Sequence, residues 1–374
     1  MKVMWIGVMV LGLGCNSSKG DLDASRCAHE MVMCTIAGTD EGGGYNTMND
    51  VATEVQLNGP NALALDASGQ ILISDARNYQ IRRIEGDQLM TVVGFNRNSH
   101  AITGPATETP LAFVSGMDIG PDGLLYLVES QGQQLSSVDV DGGEITVLGG
   151  SPTDPGWNSD ELTPLEDAVF AQLSGVAVAD DGTVYVADAG YNLIYALSTD
   201  GMVSKVAGMD EEGFPRVEDL EDPEEDVHRL DDPQGLGIFD GQLYVADAGR
   251  HRIVSVDLDT GALTNVIGVT DQPGYGDDVP FSEAKLNDPW HFTFGADGRM
   301  VVSDSGNGVI RAELSDGTID TIAGRGTGGY DATPQDPEVS SLGRPVGLLY
   351  DAAGDLVFAD FDHAVVRRIS QPNW

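Results

Sequence analysis

Six times along the chain a short apolar stretch closes on glycine. It reads TIAG at Thr35–Gly38, TVVG at Thr91–Gly94, TVLGG at Thr146–Gly150, VAG at Val206–Gly208, VIG at Val266–Gly268 and TIAG at Thr321–Gly324. With Gly149 taken as the third closing glycine, successive copies lie 56, 55, 59, 60 and 56 residues apart. A fixed period with turn glycines in step is the signature of a repeat architecture, in which each copy buries its apolar faces against its neighbours. The period therefore constrains the fold before any residue propensity is consulted, and it makes one closed domain the expectation for a chain of 374 residues.

Each period reads as four strands. In the third copy these are Gly175–Ala179, Thr183–Ala187, Leu193–Leu197 and Met202–Ala207, with tight turns at Asp180-Asp181-Gly182 and Asp200-Gly201. Asp-Gly pairs suit hairpins because such turns call for positive φ. A glycine precedes the second strand in every copy: Gly69, Gly123, Gly182, Gly241, Gly298 and Gly354. Second strands such as Leu243–Ala246 are apolar without alternation, as expected of sheets covered on both faces. Each second strand ends in an acid: Asp75, Glu129, Asp188, Asp247, Asp304 or Asp360. Recurrence in all six copies marks this acid as scaffold, a carboxylate that accepts backbone N–H groups of the adjoining turn.

The chain ends fix the topology. The last copy has strands at Val346–Tyr350, Leu356–Ala359 and Ala364–Ile369 and then stops at Trp374, one strand short. The first strand, Met31–Gly38, has the sequence of a fourth strand with no copy before it. A ring in which the N-terminal strand completes the last copy resolves both facts and removes the exposed ends of the array. The expected fold is all-β: a six-bladed β-propeller of four-stranded blades over residues 31–374, closed by its N-terminal strand, and a monomer is expected.

The stretch TIAGTDEGGGYNTMNDVATEVQLNGPNALALDASGQILISDARNYQIRRI resembles the bacterial NHL-repeat pattern. The features shared are an AG end, a Gly-Tyr loop, a leucine-and-proline approach, a first strand, G-x-LYVAD and an I-R strand. The resemblance covers roughly residues 31 to 370 and implies the propeller, but no particular activity, because this scaffold carries many. The second copy departs from it, with Glu129 for Asp and SQGQQ in the following loop.

Residues 1–14 read as a signal. Met1-Lys2 is a short positive start, Val3 to Leu13 is apolar and too short to span a bilayer, and Gly12-Leu13-Gly14-Cys15 precedes the polar stretch NSSKGD. The segment resembles a bacterial lipoprotein signal, which implies lipidation of Cys15, a tether over residues 15–30 and an exported, membrane-anchored protein, periplasmic or at the cell surface. An ordinary cleaved signal implies export to a soluble location. In an exported protein Cys27 and Cys34 could form a local disulfide or stay a buried thiol pair.

Sixty acidic residues against 19 basic ones give a net charge of -41. Such a surface repels phosphate backbones, so nucleic acid is excluded as a partner. It favours cations or basic groups, or simply keeps the protein soluble. Twelve of the acids fall within Met209–Asp232. That loop lacks the spacing of an EF-hand, so tight calcium binding is not implied, and loose binding of a divalent cation such as calcium is the cofactor it would admit.

Functional residues are expected on the long loops from each fourth strand to the next first strand, which share a rim with the second-to-third-strand loops. Five of these loops carry an aromatic after glycine: Tyr45, Trp157, Phe214, Tyr275 and Tyr330. Trp157, Tyr275 and Tyr330 would hold a sugar or peptide, or serve as wedges between blades. First strands carry a small residue at one register, Ala62, Gly116, Gly175, Gly235 and Gly347, but the fifth copy has His291 there, within Pro289-Trp290-His291. Small residues suit a crowded axis, so His291 is expected to face the channel, and two places further on Asp118 is the acidic counterpart. Together with Trp290 these are the candidate binding residues. The leading function is a ligand-, peptide- or protein-binding scaffold that uses its long-loop rim. The alternative is a metal-dependent enzyme of the lactonase or lyase kind with its site in the channel. Similar enzymes use several histidines or a Glu-Asn-Asp set on a metal, whereas here one His and one Asp occupy the corresponding register.

Overall fold

The computed structural model describes residues 31–39, 43–44, 50–95, 98–151, 162–208, 228–326 and 336–370. They form six antiparallel sheets set around an axis. The inner strands of blades 1 to 6 are Pro60–Leu65, Val114–Ile119, Leu173–Val178, Pro233–Phe239, Pro289–Phe294 and Pro345–Tyr350. Blade 6 ends with Val365–Ser370, and its outermost strand is the N-terminal Val32–Ala37, paired antiparallel from Val32↔Ser370 to Ala37↔Val366. The ring therefore closes as its sequence requires.

Four blades gain a short fifth strand. Asp50–Val51, Gly104–Pro105, Thr163–Pro164 and Val279–Pro280 pair with the outer strands of blades 1, 2, 3 and 5. The long loops thus do more than crown the rim. Each of these four runs along the outer edge of the blade it leads into, covering backbone groups that would otherwise template aggregation.

The apolar core is divided into six clusters, one between each pair of neighbouring blades. Blades 5 and 6, for example, share Ile310, Ala323, Leu348, Phe358 and Met33. Second strands such as Ile71–Asp75 and Met300–Asp304 are buried at every position because both of their faces meet a neighbouring blade. Hydroxyls and amides fasten successive blades. Ser74 Oγ donates to Val114 O (2.8 Å), Ser115 Oγ to Leu173 O (2.9 Å) and Ser174 Oγ to Pro233 O (2.5 Å).

The closing glycines are needed for two reasons. Gly38, Gly94, Gly150, Gly208, Gly268 and Gly324 all have φ between 83° and 98°, where an L side chain is strained. A Cβ at any of them would also land on a backbone carbonyl of the loop between the second and third strands, at Ala364, Tyr79, Gln133, Asn192, His251 and Gly308 respectively. This corrects the third position, because the equivalent glycine is Gly150 rather than Gly149.

The acids that end the second strands are fully buried. The adjoining turn donates to some of them, as Gly190 N does to Asp188 (3.0 Å), and every one accepts from the lead-in to the inner strand. Asp75 accepts from Asn58 N (2.7 Å), Glu129 from Ala112 N (2.6 Å), Asp188 from Gln172 N (2.9 Å), Asp247 from Asp231 N (2.7 Å), Asp304 from Asn287 N (2.7 Å) and Asp360 from Gly343 N (3.1 Å). Each carboxylate therefore pins the segment that enters the channel wall. Among the described residues no helix is long and apolar enough to cross a membrane.

Candidate functional site

Every inner strand begins with a register shift against its neighbour, at Pro60/Leu63, Val114/Gly116, Leu173/Gly175, Pro233/Leu236, Pro289/His291 and Pro345/Leu348. A bulge adds a residue and re-aims side chains. Repeated six times at one level, it turns the strand starts into the mouth of the channel. The residues at that level enclose a cavity of about 20 Å³, lined by residues of all six blades that include Asn61, Ser115, Ser174, Gly235, Trp290 and His291. That volume takes one water-sized group.

The small residues at this level are there because neighbouring strands nearly touch. A Cβ on Gly116 would meet Gly175, one on Gly175 would meet Gln234 O, and one on Gly347 would meet Asn61 O. His291 fits because its ring lies over Gly235, where any side chain would displace it. Its backbone is clamped by Ser303, whose Oγ accepts from His291 N (2.8 Å) and donates to His291 O (2.9 Å). Burial pushes the imidazole pKa down to about 4, so it is neutral at pH 7. Two buried polar atoms of the cavity wall, His291 Nδ1 and Asn61 Oδ1, have no hydrogen-bond partner among the described residues. Leaving such an atom unpaired costs about 1–3 kcal/mol, which a bound polar group would recover.

Above the cavity, the residue three before the small position leads into each inner strand. Going round the ring these residues are Gly59, Phe113, Gln172, Asp232, Asp288 and Arg344. The loops of preceding blades hold two of them, with Asp232 N donating to Asn192 Oδ1 (2.8 Å) and Asp288 N donating to His251 Nδ1 (3.1 Å). Arg344 lies between two rings, its Cζ 4.8 Å from the centroid of Trp290 and 4.5 Å from that of Phe361. Arg77 stacks on Phe361 as well, at 4.6 Å. Such contacts are worth about 0.5–2 kcal/mol each and hold the guanidinium planes without consuming their N–H groups.

The structure brings Trp290 and His291 together at this mouth. Asp118 does not join them. Its Oδ1 accepts from Ile119 N and its Oδ2 from Val178 N, both at 2.8 Å, which ties blade 2 to blade 3. Burial raises its pKa to about 6. Tyr275 is exposed, but its hydroxyl is engaged by Asp277 (2.8 Å) and by Thr321 (2.9 Å) on the outer strand of blade 5, away from the axis. Trp157 and Tyr330, and with them Cys15, Cys27 and most of the acidic loop at 209–227, lie outside the described residues. Cys34 is buried on the N-terminal strand. Among the described residues no three of His, Cys, Asp or Glu gather closely enough to hold a metal, so the ligand set of the metal-dependent enzymes is not reproduced around His291. Sequence reasoning missed Asn61, Asp288, Arg344 and Arg77. Aligning the copies three places before the small residue would have found Asp288 and Arg344.

The NHL repeat matches residues 230–254, the inner, second and third strands of blade 4 with their lead-in. The chain is a six-bladed propeller that carries an NHL-repeat match on blade 4. Over 278 residues it is 26% identical to the chloroplastic protein Suppressor of Quenching 1 of Arabidopsis thaliana, and over 300 residues 24% identical to the human NHL repeat-containing protein 2. The matches cover 69% and 70% of this chain but 25% and 39% of those proteins, so the propeller spans well under half of either. Among solved structures, an auxiliary nutrient binding protein from Bacteroides thetaiotaomicron superposes with TM-score 0.64 at 15% identity, covering 91% of this chain and 76% of the other. A gluconolactonase from Xanthomonas campestris gives 0.56 at 15% identity, with 94% of each chain covered. At these identities the chain shares their fold and nothing further follows.

Proposed function

We propose that this propeller is an exported binding protein, anchored through a lipidated Cys15, that holds a small ligand, peptide or glycan at the channel mouth on its long-loop rim. The observation that carries the reading is the mouth itself. Six geometrically equivalent lead-in positions bear four different side chains, Phe, Gln, Asp and Arg, besides the bare Gly59, over a floor where His291 Nδ1 and Asn61 Oδ1 lack partners among the described residues. Differences between equivalent blades are what let a symmetric ring recognise an asymmetric group. The similarity to a nutrient binding protein is compatible with this role, and the acidic Met209–Asp232 loop would add a bias toward cationic groups that weakens as salt rises.

The test is a thermal-shift and calorimetric screen of the purified protein against amino acids, dipeptides and neutral oligosaccharides. A ligand that stabilises the wild type should bind about tenfold or more weakly to Trp290→Ala and to His291→Ala. Binding that neither variant changes would move the site away from the mouth. A metal-dependent lactone-hydrolysing or lyase activity abolished by His291→Ala would replace the binding role with an enzymatic one.

A further inference from the structure

The mouth carries opposite charges on neighbouring arcs, and no ion pair among the described residues joins the two. On the arc of blades 6 and 1 stand Arg344 and Arg77. Neither guanidinium forms a hydrogen bond or ion pair with any described residue, and Arg344 Nε is buried without a partner. This is unusual in a chain with 60 acids and 19 bases, where most described arginines are paired. Arg252 binds Asp247 (2.7 Å), Arg311 binds Asp277 (3.0 Å) and Arg367 binds Asp360 (3.1 Å).

On the arc of blades 4 and 5 stand Asp232 and Asp288. Asp288 is half-buried, and its carboxylate accepts no hydrogen bond from a described residue. Arg344 and His251 both act on it electrostatically, yet no contact short enough for an ion pair joins Asp288 to Arg344. Asp232 accepts from Gln234 Nε2 (2.6 Å) and is close enough to Asp288 and Asp231 to feel their charge. A half-buried guanidinium and a half-buried carboxylate stand on neighbouring lead-ins, within electrostatic reach and without closing on each other, so each is open to a ligand group of the opposite charge. Arg344 stacks on Trp290, which with His291 and Asn61 lines the cavity that holds the two unpartnered atoms.

The geometry points to a small zwitterion as the ligand, an α-amino acid or short peptide with free termini. Its carboxylate would lie on Arg344 and Arg77 and its ammonium on Asp288 and Asp232. The inference rests on the mouth being a binding site. The overall charge argues in the same direction. A net anion is repelled by a surface at -41, and a simple cation is attracted everywhere on it, so neither is selected at one place. A zwitterion carries no net charge and is distinguished only where both signs are fixed at the right separation. Planar guanidinia held flat by aromatic rings present their N–H forks to a carboxylate without a further ordering cost.

The experiment is calorimetry at pH 7 and physiological salt with alanine and dialanine, each compared with its N-acetyl and its amide derivative. A free zwitterion should bind, and blocking either end should weaken binding about ten- to a hundredfold, the loss of one charge-assisted contact. Arg344→Gln should abolish the effect of amidation and leave that of acetylation, and Asp288→Asn should do the reverse. These derivatives probe the wild-type protein, so the result does not depend on any variant folding. Blocked and free forms that bind equally would overturn the inference. So would a neutral oligosaccharide that binds in a Trp290- and His291-dependent way while no zwitterion does, and that outcome would leave the mouth standing as a binding site. A protein that binds nothing in the panel would refute both.

Discussion

Removing the chain up to Gly38 tests ring closure directly. The deletion takes away five backbone pairings, from Val32↔Ser370 to Ala37↔Val366. At about 1 kcal/mol net per ladder hydrogen bond these contribute roughly 5 kcal/mol. It also removes the buried side chain of Met33, which packs between blades 5 and 6 and is worth about 2–3 kcal/mol. Val366 and Ile369, now fully buried, would gain a solvent-facing edge. The sum, roughly 8 kcal/mol, is comparable to the whole stability of a typical domain. For a ring of this size it corresponds to a fall of about 10 °C or more in melting temperature. Circular dichroism melts and size-exclusion chromatography would read the outcome, with the truncated protein expected to melt early and to self-associate through the bare strand Val365–Ser370. Adding a synthetic peptide spanning residues 31–39 should recover part of the loss. A truncated protein that stays monomeric and melts with the full-length one would refute the closure argument.

Three further outcomes are expected. Stability should rise as pH falls from 8 to 6.5: burial lifts Asp75 and Glu129 to about 7 in the fold from 3.8 and 4.5, so the fold binds protons in that window while the unfolded chain does not. The opposing group, His291, has its pKa lowered from 6.5 to about 4, so its cost to stability grows as pH falls through 6.5 and is small above it, and a melting temperature that is flat or falling between pH 8 and 6.5 would contradict the assignment. Gly94→Ala should destabilise by several times as much as Gly86→Ala in denaturant titrations, since both have positive φ but only the first places a Cβ on a carbonyl; equal costs would show that the loop contact is irrelevant. Cys15→Ser should shift the protein from the membrane fraction to the soluble exported fraction, and a wild type already wholly soluble would rule out the anchor.

The fold was legible because it is written six times. The closing glycines, the glycine before each second strand and the terminal acid recur wherever the backbone geometry recurs, so the strand order and the closing role of Val32–Ala37 followed from counting. What counting could not provide was the source of the carboxylates' partners. Asp188 and Gln172 are 16 residues apart, and only the closed blade brings the amide of one to the side chain of the other. The slip at Gly149 has the same origin: two adjacent glycines are equivalent in sequence, and only the loop carbonyl of Gln133 distinguishes them. The two-residue outer strands were also invisible, because Asp50–Val51 or Gly104–Pro105 has no strand pattern of its own and is held by the neighbour it covers.

The site was half legible, and the half that was missed shows how a repeat conceals function. His291 stood out because it replaces a small residue where the others are Ala or Gly. Asp118 stood out as the acid two places further along the same face, yet its carboxylate is spent on Ile119 N and Val178 N, an interblade fastening that one blade makes with an acid. An exception to a repeat therefore identifies a position worth examining and does not say whether the side chain is available. Availability depends on partners, and for charges in this protein it is the absence of partners that discriminates. Arg252, Arg311 and Arg367 look no different in sequence from Arg344, but each is committed to a carboxylate. Arg344 is held by Trp290 and Phe361, whose π faces fix a guanidinium while leaving its donors unused. In a chain with three acids for every base, holding a guanidinium without an ion pair to any described carboxylate takes such a device. The aromatic clamp and the variation of residue at the lead-in position thus act together: they set a guanidinium on one arc of an acidic ring and carboxylates on the next.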